Sequence, residues 1–99
     1  MGVTLRYFDG CPHWRTVDAR LGEALVNTGH ADVLVARERV ETPEEAERLG
    51  FVGSPTVLVD GIDPFAREGS PVGLACRLYM TPEGLAGSPT VDQLMEVLR

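Results

Sequence analysis

Two cysteines are the residues of this 99-residue chain with the clearest capacity for covalent chemistry, and one of them has a distinctive setting. Cys11 opens the run Cys11-Pro12-His13-Trp14, which lies between an apolar strand pattern and a long amphipathic helix pattern. A cysteine at a helix start is near free backbone N–H groups and the positive end of the helix dipole. Both stabilise the thiolate, which is the nucleophilic and metal-binding form of cysteine. Trp14 holds the position where a Cys-x-x-Cys pair would have its second thiol, so the sequence predicts a reactive thiol and leaves its chemistry open.

The neighbours of Cys11 allow more than one role for it. A protonated His13 would stabilise the thiolate or join it as a metal ligand, and an exposed first-turn side chain is the alternative. Trp14 would cover the thiol and bind an apolar substrate, or it would begin the apolar stripe of the helix, which the spacing favours. Asp9 acts in the opposite sense, because a nearby carboxylate disfavours the thiolate.

The second cysteine, Cys76, has three possible roles. It resolves a mixed disulfide, joins Cys11 in binding a soft metal, or is a small buried apolar residue. If the third strand runs away from Cys11 and the fourth returns, Cys76 lies roughly 10 Å or more from it at about 3.3 Å per residue. A disulfide requires Cα atoms within about 7 Å, so this layout disfavours a bond. A Gly- and Pro-containing loop over residues 61–73 would bring Cys76 closer if it folds back over the sheet.

The hydrophobic periodicity and turn signals predict one α/β domain over residues 1–99. Thr42 and Gly50 delimit the second helix, and Ser88 with Pro89 is predicted to start the last one. The order β-α-β-α-β-β-α predicts a mixed four-stranded sheet with helices on both faces. Cys11 then lies at the carboxyl end of the first strand, where ligands bind in such sheets. The predicted strands are Val3–Phe8, Val33–Val40, Thr56–Val59 and Leu74–Met80, and the predicted helices are 12–27, 43–49 and 89–98.

Composition narrows the classes of function. The net charge of −6 and pI near 4.7 argue against a nucleic-acid or anionic-membrane binder. No segment approaches the roughly 20 apolar residues of a membrane span, and Met1–Leu5 has no cationic apolar leader. We therefore expect a cytoplasmic protein, in which two cysteines are thiols or a transient disulfide. The chain has no Gly-rich phosphate loop and no His-x-x-x-His or Cys-x-x-Cys pair, so its motifs predict no cofactor and no dedicated metal site.

These elements resemble the thioredoxin-like superfamily over essentially the whole chain. The strand-Cys-Pro-x-x-helix segment around Cys11 is similar to the family's thiol motif, and Gly53-Ser54-Pro55-Thr56 is similar to its cis-proline motif. The run from Tyr7 to Pro12 also resembles small thioredoxin-like proteins grouped with alkylmercury lyases.

The resemblance implies a role for individual residues. Cys11 matches the attacking cysteine, and Pro55 matches the cis-proline that faces it. The backbone of Ser54 would then pair with an extended substrate. Pro12-His13 resembles the dipeptide of strongly oxidising members, whereas Trp14 departs from the resolving cysteine. Cycling between two cysteines of the motif is therefore excluded.

Three functions follow as hypotheses. The first is thiol–disulfide exchange by Cys11 with a protein or small-molecule thiol or disulfide, so that an enzyme would be a monothiol-type thiol-disulfide oxidoreductase. The mixed disulfide would be resolved by an external thiol or by Cys76. The second is soft-metal or organomercurial handling by Cys11 with His13 or Cys76. The third is a non-catalytic interaction module that uses the sheet edge or the 61–73 loop.

Overall fold

The first strand of the chain becomes the centre of its main sheet. The computed structural model covers residues 1–99. None of its helices is long and apolar enough to cross a bilayer. Its elements in chain order are β1 Val3–Tyr7, α1 His13–Asn27, β2 Val35–Arg39, α2 Pro43–Leu49, β3 Thr56–Val59, β4 Tyr79–Thr81, β5 Gly84–Ala86 and α3 Val91–Leu98.

The main sheet has three strands in the order β2-β1-β3, and a separate two-stranded sheet joins β4 to β5. Strand β1 pairs with β2 in parallel and with β3 in antiparallel orientation, so Val3 lies between Val35 and Val59. The predicted four-stranded sheet is therefore wrong. Residues 74–78 do not return alongside β3; Cys76 makes only an isolated bridge to Ser54. The sequence does not predict β5, whose three residues, beginning with a glycine, are too few to show a strand pattern.

The main core lies between two helices and one face of the sheet. The apolar stripe of α1 and the apolar face of α3 pack on the side of the sheet that carries Val3 and Leu5. Alternation along β1 accounts for this, because residues two apart in a strand point to the same face. A second, smaller cluster joins Ala46 of α2 to Val40 and Phe51. The helical residues buried in the main core are Val17, Leu21, Ala24, Leu25, Leu94 and Leu98.

The helix ends show which local signals are decisive. As predicted, the Thr42 hydroxyl accepts a hydrogen bond from the Glu45 N–H (3.1 Å), and Gly50 ends α2 with a left-handed φ of 65°. The prediction that Ser88 caps the last helix is wrong, because Thr90 does so. Thr90 and Gln93 bond each other's backbone N–H groups at 3.1 and 2.9 Å, a reciprocal pair for which Ser88 has no partner three residues on.

The second strand begins later than predicted. The backbone N–H of Val33 bonds the His30 carbonyl at 3.0 Å, which keeps this segment in a turn. Leu34 follows with 90% of its surface exposed. The predicted start of the strand at Val33 is therefore wrong. Strand β2 extends over Val35–Arg39 at the edge of the sheet.

Candidate functional site

A disulfide joins Cys11 to Cys76, which are 65 residues apart in sequence and 5.6 Å apart between their Cα atoms. The expected separation of 10 Å or more is therefore wrong. That expectation assumed that Cys76 lies on a strand returning antiparallel to β3, far from Cys11.

The chain around Cys76 instead runs parallel to the segment that precedes β3. The N–H of Gly73 bonds the Phe51 carbonyl at 3.0 Å, and the N–H of Ser54 bonds the Ala75 carbonyl at 2.8 Å. The N–H of Arg77 then bonds the Ser54 carbonyl at 2.8 Å. Residues 60–72 thus bring the chain back to the start of β3, and Cys76 arrives at the end of the sheet where Cys11 lies.

Ser54 connects the two cysteine segments through all its polar atoms. Besides its two backbone bonds to Ala75 and Arg77, its hydroxyl accepts a hydrogen bond from the Phe8 N–H at 3.0 Å. The sulfur of Cys11 lies 3.6 Å from its carbonyl oxygen. The Ser54–Pro55 peptide bond is cis, as the resemblance implied, and both residues are buried.

Cys11 lies in the short connection between β1 and α1 and has no exposed surface. Its N–H bonds the Phe8 carbonyl at 3.0 Å, which closes a turn through Asp9 and Gly10. Pro12 is the N-cap residue of α1 and supplies no side-chain cap. Cys11 therefore immediately precedes the cap of a 15-residue helix, close to the positive end of its dipole.

The two aromatic residues predicted near Cys11 have packing partners of their own. The ring of Trp14 stacks on Tyr7 with centroids 4.2 Å apart and joins the main core. The exposed His13 lies with its ring against Gly87, where an added Cβ would come within 2.5 Å of the imidazole. No group of three or more His, Cys, Asp or Glu side chains is arranged to hold a metal ion.

Arg77 is a neighbour of the site that the sequence does not predict. Its side chain is only 8% exposed, and the guanidinium contacts Asp63 twice, at 2.7 and 3.3 Å. It also donates to the Phe65 carbonyl at 2.7 Å and to the Thr56 hydroxyl at 3.3 Å. These bonds hold the 61–73 loop against β3 and fix the backbone next to Cys76. The only signal in the sequence was a single arginine within an otherwise apolar run.

Tyr79 continues this buried polar cluster. Its phenol donates a hydrogen bond to the Pro55 carbonyl, and its ring lies 4.7 Å from the Arg77 guanidinium carbon. Burial raises the pKa of Tyr79, an effect that the charge of Arg77 partly offsets. The phenol keeps its proton at neutral pH and remains a donor to the carbonyl of the cis-proline, Pro55.

Gly53 allows the two segments to approach, and its substitution gives the first test. It has a φ of +116°, and an added Cβ would lie 3.0 Å from Arg77 Cβ and 3.2 Å from the Ala75 carbonyl oxygen. We expect Gly53→Ala to lower the free energy of unfolding by about 1–3 kcal/mol, the cost of such strained backbone. Gly22→Ala is the control, because Gly22 lies inside α1 with nothing within 4 Å and should gain about 0.5–1 kcal/mol. Urea denaturation measures whether each variant gains or loses free energy of unfolding. If Gly53→Ala leaves this free energy unchanged, the close approach of residue 53 to Ala75 and Arg77 is contradicted.

Comparison of the chain with protein-family models, curated proteins and solved structures gives no match. The chemistry of the site therefore rests on its own geometry. Two sulfurs from distant parts of the chain meet beside a helix start and a cis-proline, and they can alternate between a dithiol and a disulfide.

Proposed function

We propose that the protein carries out thiol–disulfide exchange through Cys11 and Cys76 on a thioredoxin-like scaffold. The observation that carries the proposal is the juxtaposition of the two cysteines, with Cα atoms 5.6 Å apart, next to the start of α1. The scaffold part is supported by the Cys11 connection between β1 and α1 and by the cis bond before Pro55. Cys76 supplies the second thiol, because Trp14 occupies the position of the second cysteine in the motif.

Thiol–disulfide exchange between this protein and a substrate needs no cofactor, because the two electrons pass directly between their sulfurs. In the reducing direction, one protein thiolate attacks a substrate disulfide, forms a mixed disulfide and expels one substrate thiolate. The second protein thiolate then attacks the protein sulfur of that mixed disulfide and expels the other substrate thiolate. Two electrons pass to the substrate, and the Cys11–Cys76 disulfide forms. The reverse sequence oxidises a substrate dithiol.

Thiol stoichiometry with a small disulfide such as 2,2′-dithiodipyridine tests the proposal. The reduced protein should release two equivalents of pyridinethione and end without a bound probe, because its second thiol displaces the first adduct. Cys11→Ser and Cys76→Ser should each release one equivalent and retain one adduct by mass. The double variant should release none.

A wild-type protein that retains two separate adducts would contradict the proposal, since its thiols would then act independently. Turnover provides the second readout. With dithiothreitol as the electron donor, the wild-type protein should accelerate the reduction of a protein disulfide, and the double variant should not.

A further inference from the structure

We infer that the partner's sulfur exchanges at Cys76, whereas Cys11 is the internal thiol, and that the partner is a polypeptide with apolar side chains beside its cysteine. The inference rests on the proposed function and reverses the roles that the resemblance implied. Its starting point is that Cys11 is fully buried while Cys76 is exposed.

Access determines which sulfur of a disulfide is attacked. A cavity of about 360 Å³ lies beside Cys76 and is lined in part by Val52, Ser70 and Leu78, so an incoming side chain has room on this side. A partner thiolate that attacks the Cys76 sulfur breaks the Cys11–Cys76 bond, forms a partner–Cys76 disulfide and releases Cys11 as a thiolate. A second partner thiol then attacks the partner's sulfur, so that the partner leaves oxidised and Cys76 leaves reduced.

The leaving thiolate is well placed for this direction of attack. Cys11 directly precedes the N-cap of α1, and a helix start stabilises a negative sulfur. A sulfur that is stabilised as a thiolate leaves faster. At a helix start, an exposed cysteine becomes a better nucleophile. In the buried Cys11, the same position makes the sulfur a better leaving group.

The backbone around Cys76 is held independently of the disulfide. Ser54 bonds the residues on both sides of Cys76, and Arg77 is tied to Asp63, Phe65 and Thr56. These bonds contain no sulfur and remain when the disulfide opens. Cys11 therefore stays covered in the reduced protein, and Cys76 stays the accessible thiol.

An apolar strip continues from Cys76 along the same face of the chain. Burial alternates from residue 76 to 81: Arg77, Tyr79 and Thr81 are buried, so the residues between them point outward. Leu78 and Met80 are 57% and 61% exposed, and Leu85, which pairs with Met80, is 60% exposed. We call Leu78, Met80 and Leu85 the exchange strip. A polypeptide whose cysteine bonds Cys76 would lay its neighbouring side chains on this strip, which favours apolar residues there.

Thiol reactivity of the two single variants tests the order of attack. Cys11→Ser and Cys76→Ser lose the same disulfide, so each controls for the other. We expect the free Cys76 to react with 2,2′-dithiodipyridine about tenfold faster or more than the free Cys11, because a buried thiol reacts only from a locally opened state. A faster reaction of Cys11 would overturn the inference and leave the proposed function standing. Two thiols that both fail to react would overturn the proposed function itself.

Two cysteine peptides of equal charge test the partner class, one with leucines and one with serines beside the cysteine. The oxidised wild-type protein should form the mixed disulfide several-fold faster with the leucine peptide. A Leu78→Ser, Met80→Ser double variant should lose this preference, and Leu34→Ser, at an even more exposed leucine in the turn before β2, should keep it. Equal rates for the two wild-type reactions would overturn the apolar partner and indicate a small thiol instead.

Discussion

Reduction of the Cys11–Cys76 disulfide is expected to lower the free energy of unfolding by about 4 kcal/mol. The bond joins residues 65 apart and so closes a long loop, whose conformational freedom returns to the unfolded chain when the bond is broken. For a domain of this size, the loss corresponds to roughly 15–30 °C in Tm. Thermal and urea denaturation with and without dithiothreitol measure the difference.

The Cys11→Ser, Cys76→Ser double variant is the control for this measurement. It should resemble the reduced wild-type protein and show no response to dithiothreitol. A wild-type Tm that reductant leaves unchanged, with complete reduction verified by thiol counting, would contradict the contribution assigned to the bond.

Removal of the Asp63 carboxylate is expected to cost about 3–5 kcal/mol, the range for leaving one partner of a buried ion pair alone. Asp63→Ala would leave the charge of Arg77, whose side chain is 8% exposed, without its carboxylate partner, and would remove the acceptor of the Phe65 N–H bond. The variant should also free the 61–73 loop. Urea denaturation under reducing conditions measures the loss without the contribution of the disulfide.

The exposed pair Arg6–Glu38 provides a matched comparison. These side chains are 22% and 50% exposed, so Glu38→Ala should cost less than about 1 kcal/mol. Equal losses in Glu38→Ala and Asp63→Ala would contradict the importance of burial. An Asp63→Leu, Arg77→Met double variant should lose less than Asp63→Ala, because it leaves no unpaired charge.

The parts of the fold that local chemistry specifies could be predicted from the sequence. Thr42 and Gly50 delimit α2 as expected, since a cap and a left-handed glycine act within one helical turn. The buried stripe of α1 likewise follows from the spacing of its apolar residues. The short connection that carries Cys11 is of the same kind, because it depends only on where β1 ends and α1 begins.

The path of residues 61–78 could not be predicted, because contacts distant in sequence determine it. The sequence predicts a strand over Leu74–Met80, but β4 spans only Tyr79–Thr81, and the burial expected from residue type is inverted: Arg77 is buried and Leu78 is exposed. Only the partner of Arg77, Asp63 in the preceding loop, accounts for that inversion. The position of Cys76 depends on this pair and on Ser54, so spacing alone gave the wrong distance.

The long sequence separation of the two cysteines makes the oxidation state of the molecule a property of its tertiary structure. Neighbouring thiols keep a high effective concentration even in a denatured chain, whereas Cys11 and Cys76 gain theirs almost entirely from folding. By thermodynamic linkage, any ligand that binds the folded form more tightly when it is oxidised also makes the protein a weaker oxidant. A ligand that binds away from both sulfurs would in this way lower the reduction potential of the Cys11–Cys76 disulfide.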